Sequence, residues 1–337
     1  MALIDTAVYL DGARIAEGIA PAEAIRLARE RGGIVWIGLR GPDPAELDEL
    51  VEPLALHPLA IRDSHKGHQR SKLEQFGDMV YLVVQPARYI DETERVESSE
   101  VDIFVGADFV VTVQDDDFVD TAAVQADIET HPEILRKGTY GMVWALMSSI
   151  ISGYGPVLDG VENDIDEIEE EIFSEAPKVS RRIFALQREV IDLQHATDPL
   201  GDMLDRLQQI VARSTNTASA PAFHDLDDHA THVIDKVRGF RATLDNALTV
   251  HASLVDQQSN AEMKRLTEFG IQQNDQVKKI SSWAAILFAP TLVGTVYGMN
   301  FDNMPELHWA YGYYIALGLM AATSVTLYLV FKRRGWL

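Results

Sequence analysis

The chain has 337 residues, 24% of them charged, and a net charge of −23, with a mean hydropathy of −0.05. It contains no cysteine, which excludes disulfides, thiol catalysis and cysteine-ligated metal centres. No nucleophile–base pair, glycine-rich phosphate loop or base-binding patch stands out, so neither an enzyme nor a nucleic-acid partner is expected.

Residues 1 to about 120 read as mixed α/β. "GGIVWIGL" (32–39), "MVYLVVQP" (79–86), "VDIFVG" (101–106) and "DFVVTVQ" (108–114) are short β-branched and aromatic runs bounded by Gly, Pro and Asp. "PAEAIRLARERG" and "DPAELDELVEPL" read as helices, each opened by a proline near the first turn. The opening "MALIDTAVYLDGARIAEG" has no basic n-region and no apolar h-region, so no cleavable signal peptide is expected and the N-terminal domain is expected in the cytoplasm. From about Thr121 the strand signals stop. Residues 142–175 read as one long helix with an acidic second half, 180–211 as a second, antiparallel to it, and 213–225 as a loop. From about Leu226 a single helix is expected to continue to Met299, on the order of 110 Å long. A helix of that length needs helical neighbours, such as its own copies.

The charge is unevenly placed. Residues 1–280 hold 26 of the 29 basic and 50 of the 52 acidic residues. Ile280 to Phe301 and Leu307 to Phe331 hold none. Each run exceeds the roughly 20 residues that span a hydrocarbon core as a helix, so two transmembrane helices are expected. Lys278 and Lys279 precede the first run, and Lys332, Arg333 and Arg334 follow the second. The intervening loop has Asp302 and Glu306 but no base. Both termini are therefore expected inside and the loop outside. Trp309, Tyr311, Tyr313 and Tyr314 stand where an aromatic belt would mark the outer interface.

Heptad spacing along the first run gives Asn274, Val277, Ser281, Ala284, Phe288, Thr291, Thr295 and Gly298. Most are small or polar, a face that lipid disfavours. Small and hydroxyl residues mark helix–helix contact in membranes; the same stripe, repeated around symmetric copies, would line a pore. The spacing leaves both readings open. Two spans cannot enclose a pore, so the second requires an oligomer. At the end of the stripe stands Gly298-Met299-Asn300. A ring of Asn300 amides would offer uncharged oxygens, which suits a cation that keeps its water, as Mg²⁺ does.

"YGMNFDNMPEL" (297–307) resembles the signature of the CorA family of divalent-cation channels, Gly-Met-Asn ending the first span followed by Met-Pro-Glu-Leu. "LHPLAIRDSHKGHQRSKLEQFGDMVYLVV" (56–84), "LDGVENDIDEIEEEIFSE", "QNDQVKKISSWAAILFAPTLVGTVYGMNF" and the terminal "FKRRGWL" are also similar to that family, so the likeness covers nearly the whole chain. The resemblance implies an α+β architecture. Residues 1–140 form a cytoplasmic α/β domain, 141–225 an antiparallel acidic helix pair and 226–280 a long stalk helix. Residues 281–299 are a pore-lining transmembrane helix, 300–311 the outer loop, 312–331 a second transmembrane helix and 332–337 a basic cytoplasmic tail. It further implies a funnel-shaped homopentamer in the cytoplasmic membrane, in contact with lipid. The transported ions would be hydrated Mg²⁺, with Co²⁺ and Ni²⁺, in passive influx gated by cytosolic Mg²⁺, with no cofactor beyond the ion itself.

Carried over by position, Gly298, Met299 and Asn300 form the selectivity filter, with Glu306 in the outer loop. The pore-lining residues are Asn274, Val277, Ile280, Ala284, Phe288, Thr291 and Thr295, and Phe288 suits a hydrophobic constriction that gates by dewetting. The family's regulatory Mg²⁺ sites lie between subunits. Asp91 stands near the acidic ligand of the N-terminal domain, but the expected stalk carboxylate is replaced by Met263, which turns attention to Glu262 and Glu268. The acidic run from Glu162 to Glu175 could bind cytosolic cations, but a run of this kind is more often a solvated face. His57, His65, His68 and Asp63 have a spacing that could hold a metal, but they lie in a segment the family uses structurally, and Asp115–Asp117 read as a turn. Two other functions compete. A zinc transporter of the related branch would differ in the outer loop, and a non-conducting membrane-anchored scaffold would need neither Gly-Met-Asn nor a polar stripe.

Overall fold

β-branched and aromatic runs in the N-terminal part form strands, and the charge-free runs near the C-terminus form helices, in a computed structural model that describes residues 3–173, 179–213, 220–299 and 304–337. In chain order the elements are β1 (Leu3–Leu10), β2 (Ala13–Glu17), α1 (Pro21–Arg31), β3 (Ile34–Arg40), α2 (Pro44–Asp48), α3 (Val51–Leu54), α4 (Pro58–Lys66), β4 (Lys72–Phe76), β5 (Met79–Val84), β6 (Ala87–Ile90), β7 (Arg95–Ser98), β8 (Val101–Val105) and β9 (Phe109–Gln114). Helices follow: α5 (Thr121–Glu129), α6 (Pro132–Leu135), α7 (Thr139–Ile172), α8 (Val179–Thr197), α9 (Leu200–Arg213), α10 (Ala220–Tyr297) and α11 (Gly312–Arg333). The chain divides into two units, Met1–His251 and Ala252–Leu337, with residues of α10 in both.

In the first unit seven strands form one sheet in the order β2-β1-β3-β9-β8-β5-β4. Among the described strands, only β3 and β9 pair in parallel. The inner strands β5, β8 and β9 are buried at every residue, because helices cover both sheet faces and leave no room for alternation. Val8, Ile37, Val83, Phe104 and Val111 face α1 to α4 in one core layer. α7 meets β8 and β9, and Trp36 donates from Nε1 to Thr112 Oγ1 at 3.4 Å within the buried sheet.

The four strands expected from their composition form as β3, β5, β8 and β9. The hairpin β1–β2 was not anticipated, although its signal is present. Asp11 and Gly12 sit at φ 54° and 87°, the left-handed pair that a two-residue hairpin turn requires, for which Asp-Gly is a preferred sequence. β4, β6 and β7 carry too many charged residues to stand out by composition. They are strands because a neighbour supplies their backbone partners.

The helices also depart from expectation. The segment expected as one helix over 180–211 is two, α8 and α9, because Pro199 has no N–H to continue the ladder and disfavours helical backbone at Asp198. The helix read in "DPAELDELVEPL" is likewise split into α2 and α3, with Pro53 inside the second. α7 begins at Thr139 and ends at Ile172, with residues 174 and 175 outside the described residues. Residues 220–225, expected as loop, belong to α10.

A second, two-stranded sheet of β6 and β7 lies against α7. Its close approach depends on Gly160, where a Cβ would stand 2.4 Å from the Tyr89 ring.

Candidate ion-conduction path

Among the described residues, three helices are long and apolar enough to cross a membrane: α7, the later part of α10, and α11. α7 is different in kind, since most of its apolar stretch is buried within the first unit, where Met142, Leu146, Ile150 and Tyr154 are core residues. The apolar stretches of α10 and α11 are almost wholly exposed, 11% and 6% buried. Apolar helices with that little protein cover need a non-aqueous surrounding.

The two helices of the second unit meet on one side of α10. Ser282 is 1% and Ile286 9% exposed, and a Cβ on Gly294 would lie 3.3 Å from Met320 Cε. Pro290 explains one contact. It has no N–H to give the carbonyl of Ile286, four residues earlier, so that oxygen is orphaned. Ser324 Oγ on α11 donates to it at 3.4 Å.

With 3.6 residues per turn, the stripe falls on the opposite side of α10. Asn274, Val277, Ile280, Ala284, Phe288, Thr291 and Thr295 are all exposed, Ile280 by 70% and Phe288 by 72%. α11 covers none of them. The hydroxyl protons of Thr291 and Thr295 are spent on their own helix, donating to Leu287 O at 3.4 Å and Thr291 O at 2.8 Å. What each threonine turns outward is therefore acceptor lone pairs, which suits a cation or the protons of its water shell. Trp283, Leu287, Leu292 and Val296 flank the stripe, apolar and exposed.

α10 ends at Tyr297. Gly298 N–H still donates to Gly294 O at 2.9 Å, and Met299 N–H to Val296 O at 3.4 Å. A Cβ at Gly298 would stand 3.1 Å from Gly294 O, so the terminal turn is tight there. Asn300 lies outside the described residues, as do 301–303. Glu306 falls within a short 3-10 turn, Pro305–His308. Beyond it Trp309, Tyr311, Tyr313 and Tyr314 are each 67–72% exposed. At the other end of α11, Lys332 lies over the Tyr328 ring and Trp336 stacks on Phe331.

The expected regulatory residues are separate. Asp91 is exposed at the start of a 3-10 turn, Asp91–Thr93, that joins β6 to β7 in the first unit. Glu262 and Glu268, with Met263 between them at 64% exposure, are exposed on α10 in the second. The acidic run is a solvated face with internal ties. Ile165, Ile168 and Ile172 are its buried stripe, Lys236 donates to Glu162 at 2.9 Å, and Arg182 gathers Glu167 and Glu171.

The histidines build structure. His57 caps α4, its Nδ1 accepting from Leu59 N–H at 3.3 Å, and stacks on Phe76 at 4.1 Å. Asp63 takes a hydrogen bond from Lys72 at 2.6 Å, which holds its carboxyl below the usual range. His65 stands 3.7 Å from Asp48. Asp116 closes a turn by accepting from Phe118 N–H at 3.1 Å.

The sequence profile described as CorA-like Mg²⁺ transporter protein matches residues 31–333. The chain belongs to the CorA family. The cobalt/magnesium transport protein CorA of Thermotoga maritima is 28% identical over 321 residues, covering 94% of this chain and 87% of that protein. Among solved structures, the complete CorA magnesium transporter of Methanocaldococcus jannaschii superposes with a TM-score of 0.60 at 17% identity, covering all of both chains. The ZntB cytoplasmic domain of Vibrio parahaemolyticus superposes with a TM-score of 0.54 at 11% identity, covering 76% of this chain and 98% of that one. At those identities the superpositions establish the CorA fold, the N-terminal α/β part and long C-terminal helices. Family membership makes the chain a membrane transport protein for Mg²⁺ and not an enzyme.

Proposed function

We propose that this CorA-family chain forms a homopentameric channel for the passive influx of hydrated Mg²⁺, and of Co²⁺, through a path lined by the stripe on α10. The observation that carries this reading is the exposed stripe on the side of α10 opposite α11, with acceptor oxygens turned outward. Neighbouring copies of α10 and α11 would cover the apolar flanks Trp283, Leu287, Leu292 and Val296, leaving the stripe at the axis. Residues 281–299 and 312–331 would be the two spans, joined by the outer loop 300–311 with Glu306 near its mouth. Gly298, Met299 and Asn300 would form the filter.

Closure by cytosolic Mg²⁺ would use Asp91 of one subunit with Glu262 or Glu268 of the next, in place of the carboxylate that Met263 lacks. Screening of the acidic excess on residues 1–280 would add a general contribution. The fold is shared with a ZntB domain, so the preference for Mg²⁺ over Zn²⁺ rests on the Gly-Met-Asn and Met-Pro-Glu-Leu residues of the loop.

The test is uptake. Purified protein in liposomes is expected to carry Mg²⁺ to an internal fluorescent indicator and to run in detergent with the mass of a pentamer. A stable monomer or dimer without flux would sink the channel and favour the anchored scaffold.

Topology gives a second expected result. The lysines before the first span and the basic tail after the second would put both termini in the cytoplasm of the cell. Because the chain has no cysteine of its own, Asn303→Cys provides a single thiol, expected to react with an impermeant maleimide in intact cells. Reaction only after permeabilisation would reverse the orientation.

A further inference from the structure

Three carboxylates, Glu94, Asp164 and Glu167, bring one oxygen each within 4.8 Å of one another, near enough to hold a metal ion. A cation already stands there. Arg182 on α8 reaches Glu94 at 3.1 Å, Asp164 at 3.7 Å and Glu171 at 2.9 Å, and it also hydrogen-bonds Glu167. The guanidinium is mostly covered, at 21% exposure, and Asp164 is covered further, at 7%. Burial raises the Asp164 carboxyl above its usual range, against the pull of the Tyr89 hydrogen bond and the Arg182 charge.

The cluster joins three elements. Glu94 ends the turn between β6 and β7, in left-handed backbone at φ 51°. Asp164, Glu167 and Glu171 are on α7. The same hairpin is fastened by Tyr89 OH, which donates to Asp164 Oδ2 at 2.9 Å, and by Val96 N–H, which donates to Glu189 Oε2 on α8 at 2.9 Å. The turn so held contains Asp91, three residues before Glu94.

We infer that Arg182 is a built-in cation that stands where a metal would in the Glu94–Asp164–Glu167 cluster, and that it positions the β6–β7 turn bearing Asp91. The part concerning Asp91 rests on the proposed regulatory role of that residue; the joint itself does not. Arginine suits the task because its planar fork serves several carboxylates at once and keeps its charge. A mobile divalent ion at the same place would loosen whenever cytosolic Mg²⁺ fell. A fixed guanidinium keeps the turn in place at all Mg²⁺ concentrations, so that the response is left to the residues outside the cluster.

The experiment is metal rescue on the full-length protein. Wild type, Arg182→Gln, Arg182→Lys, Asp91→Asn and the double variant Arg182→Gln/Glu167→Gln are melted in EDTA and across a Mg²⁺ series. Protection from protease is followed over the same series. Without Mg²⁺, Arg182→Gln is expected to melt about 5 °C below wild type, because the carboxylates then face one another without the guanidinium between them. Mg²⁺ is expected to return most of that loss, a larger shift than wild type gains, and the double variant is expected to recover less. The Mg²⁺ midpoint of protease protection is expected to move about ten-fold in Arg182→Gln and part of the way back in Arg182→Lys, a response that a merely structural residue would not give.

Equal Mg²⁺ shifts in wild type and Arg182→Gln, or no loss in EDTA, overturn the inference. Should Arg182→Gln not assemble, Arg182→Lys carries the test: a Mg²⁺ shift above that of wild type supports the joint, and an equal one overturns it. If Asp91→Asn leaves the protection midpoint unchanged while Mg²⁺ still rescues Arg182→Gln, the regulatory reading of Asp91 fails and the arginine joint stands.

Discussion

Asn300→Ala is expected to abolish Mg²⁺ uptake while leaving the assembly intact. Asn300 follows Gly298 and Met299, whose backbone closes the last turn of α10, so it comes directly after the exposed stripe ends. In the proposed filter its amide oxygen would accept a hydrogen bond from a water of the ion, which alanine could not do. Each lost acceptor is worth about 1 kcal/mol, and in the proposed pentamer the loss would be repeated around a ring of subunits. A barrier raised by several such increments slows passage by roughly 1,000-fold, since each 1.4 kcal/mol is ten-fold. The change removes no apolar surface, so the mass in detergent should not move. Asn300→Asp is the informative partner. It adds charge where weak binding is needed and should lose discrimination, because conduction requires sites that release the ion. If Asn300→Ala assembles and carries Mg²⁺ at the wild-type rate, with unchanged block by hexa-ammine cobalt, the filter lies elsewhere and Gly-Met-Asn is only a helix stop.

Phe288→Ser is expected to keep Mg²⁺ flowing at internal concentrations that silence the wild type. Phe288 is the largest side chain of the stripe and 72% exposed, so it packs little within its own subunit. Replacing it should cost the subunit fold little, unlike truncation of a core phenylalanine, at about 3–5 kcal/mol. A ring of phenyl groups at the axis would exclude water, and hydroxyls would admit it. A residual flux at least ten-fold above wild type at closing Mg²⁺ corresponds to about 1.4 kcal/mol off the barrier. The measurement is uptake into liposomes preloaded with Mg²⁺. A variant that closes with the wild-type midpoint and the same residual flux would remove Phe288 from the gate. Melting temperature read alongside separates a gating change from loss of assembly.

Asn300 and Phe288 both stand out in the sequence alone, for a physical reason. A candidate membrane span declares itself by the absence of charge over a fixed length, and Ile280–Phe301 and Leu307–Phe331 do so without any tertiary knowledge. The stripe is legible because helical periodicity places residues three and four apart on one face. The basic residues beside the spans and the Gly-Met-Asn turn are local in the same sense.

Local signals were also missed or misjudged where a neighbour in the chain decides. Asp11-Gly12 announces a hairpin, yet its strands are confirmed as strands only by pairing with each other and with β3. Pro199 divides a helix whose apolar period continues on both sides of it.

Length, absence of charge and helical period thus determined the spans, the stripe and the family motifs, since each is a property of consecutive residues. Only the tertiary structure decided which apolar helix is core and which is left bare. α7 and α11 are both long and apolar, but the sheet buries one, while the other meets only one side of α10 and stays 6% buried among the described residues. It also decided that α11 meets the side of α10 away from the stripe, where Ser324 satisfies the carbonyl freed by Pro290. The grouping of Glu94, Asp164 and Arg182 is likewise tertiary. These residues are far apart along the chain, and no period or spacing relates them. They meet because β6–β7, α7 and α8 pack together, and a charge cluster assembled across three elements exists only once that packing is made.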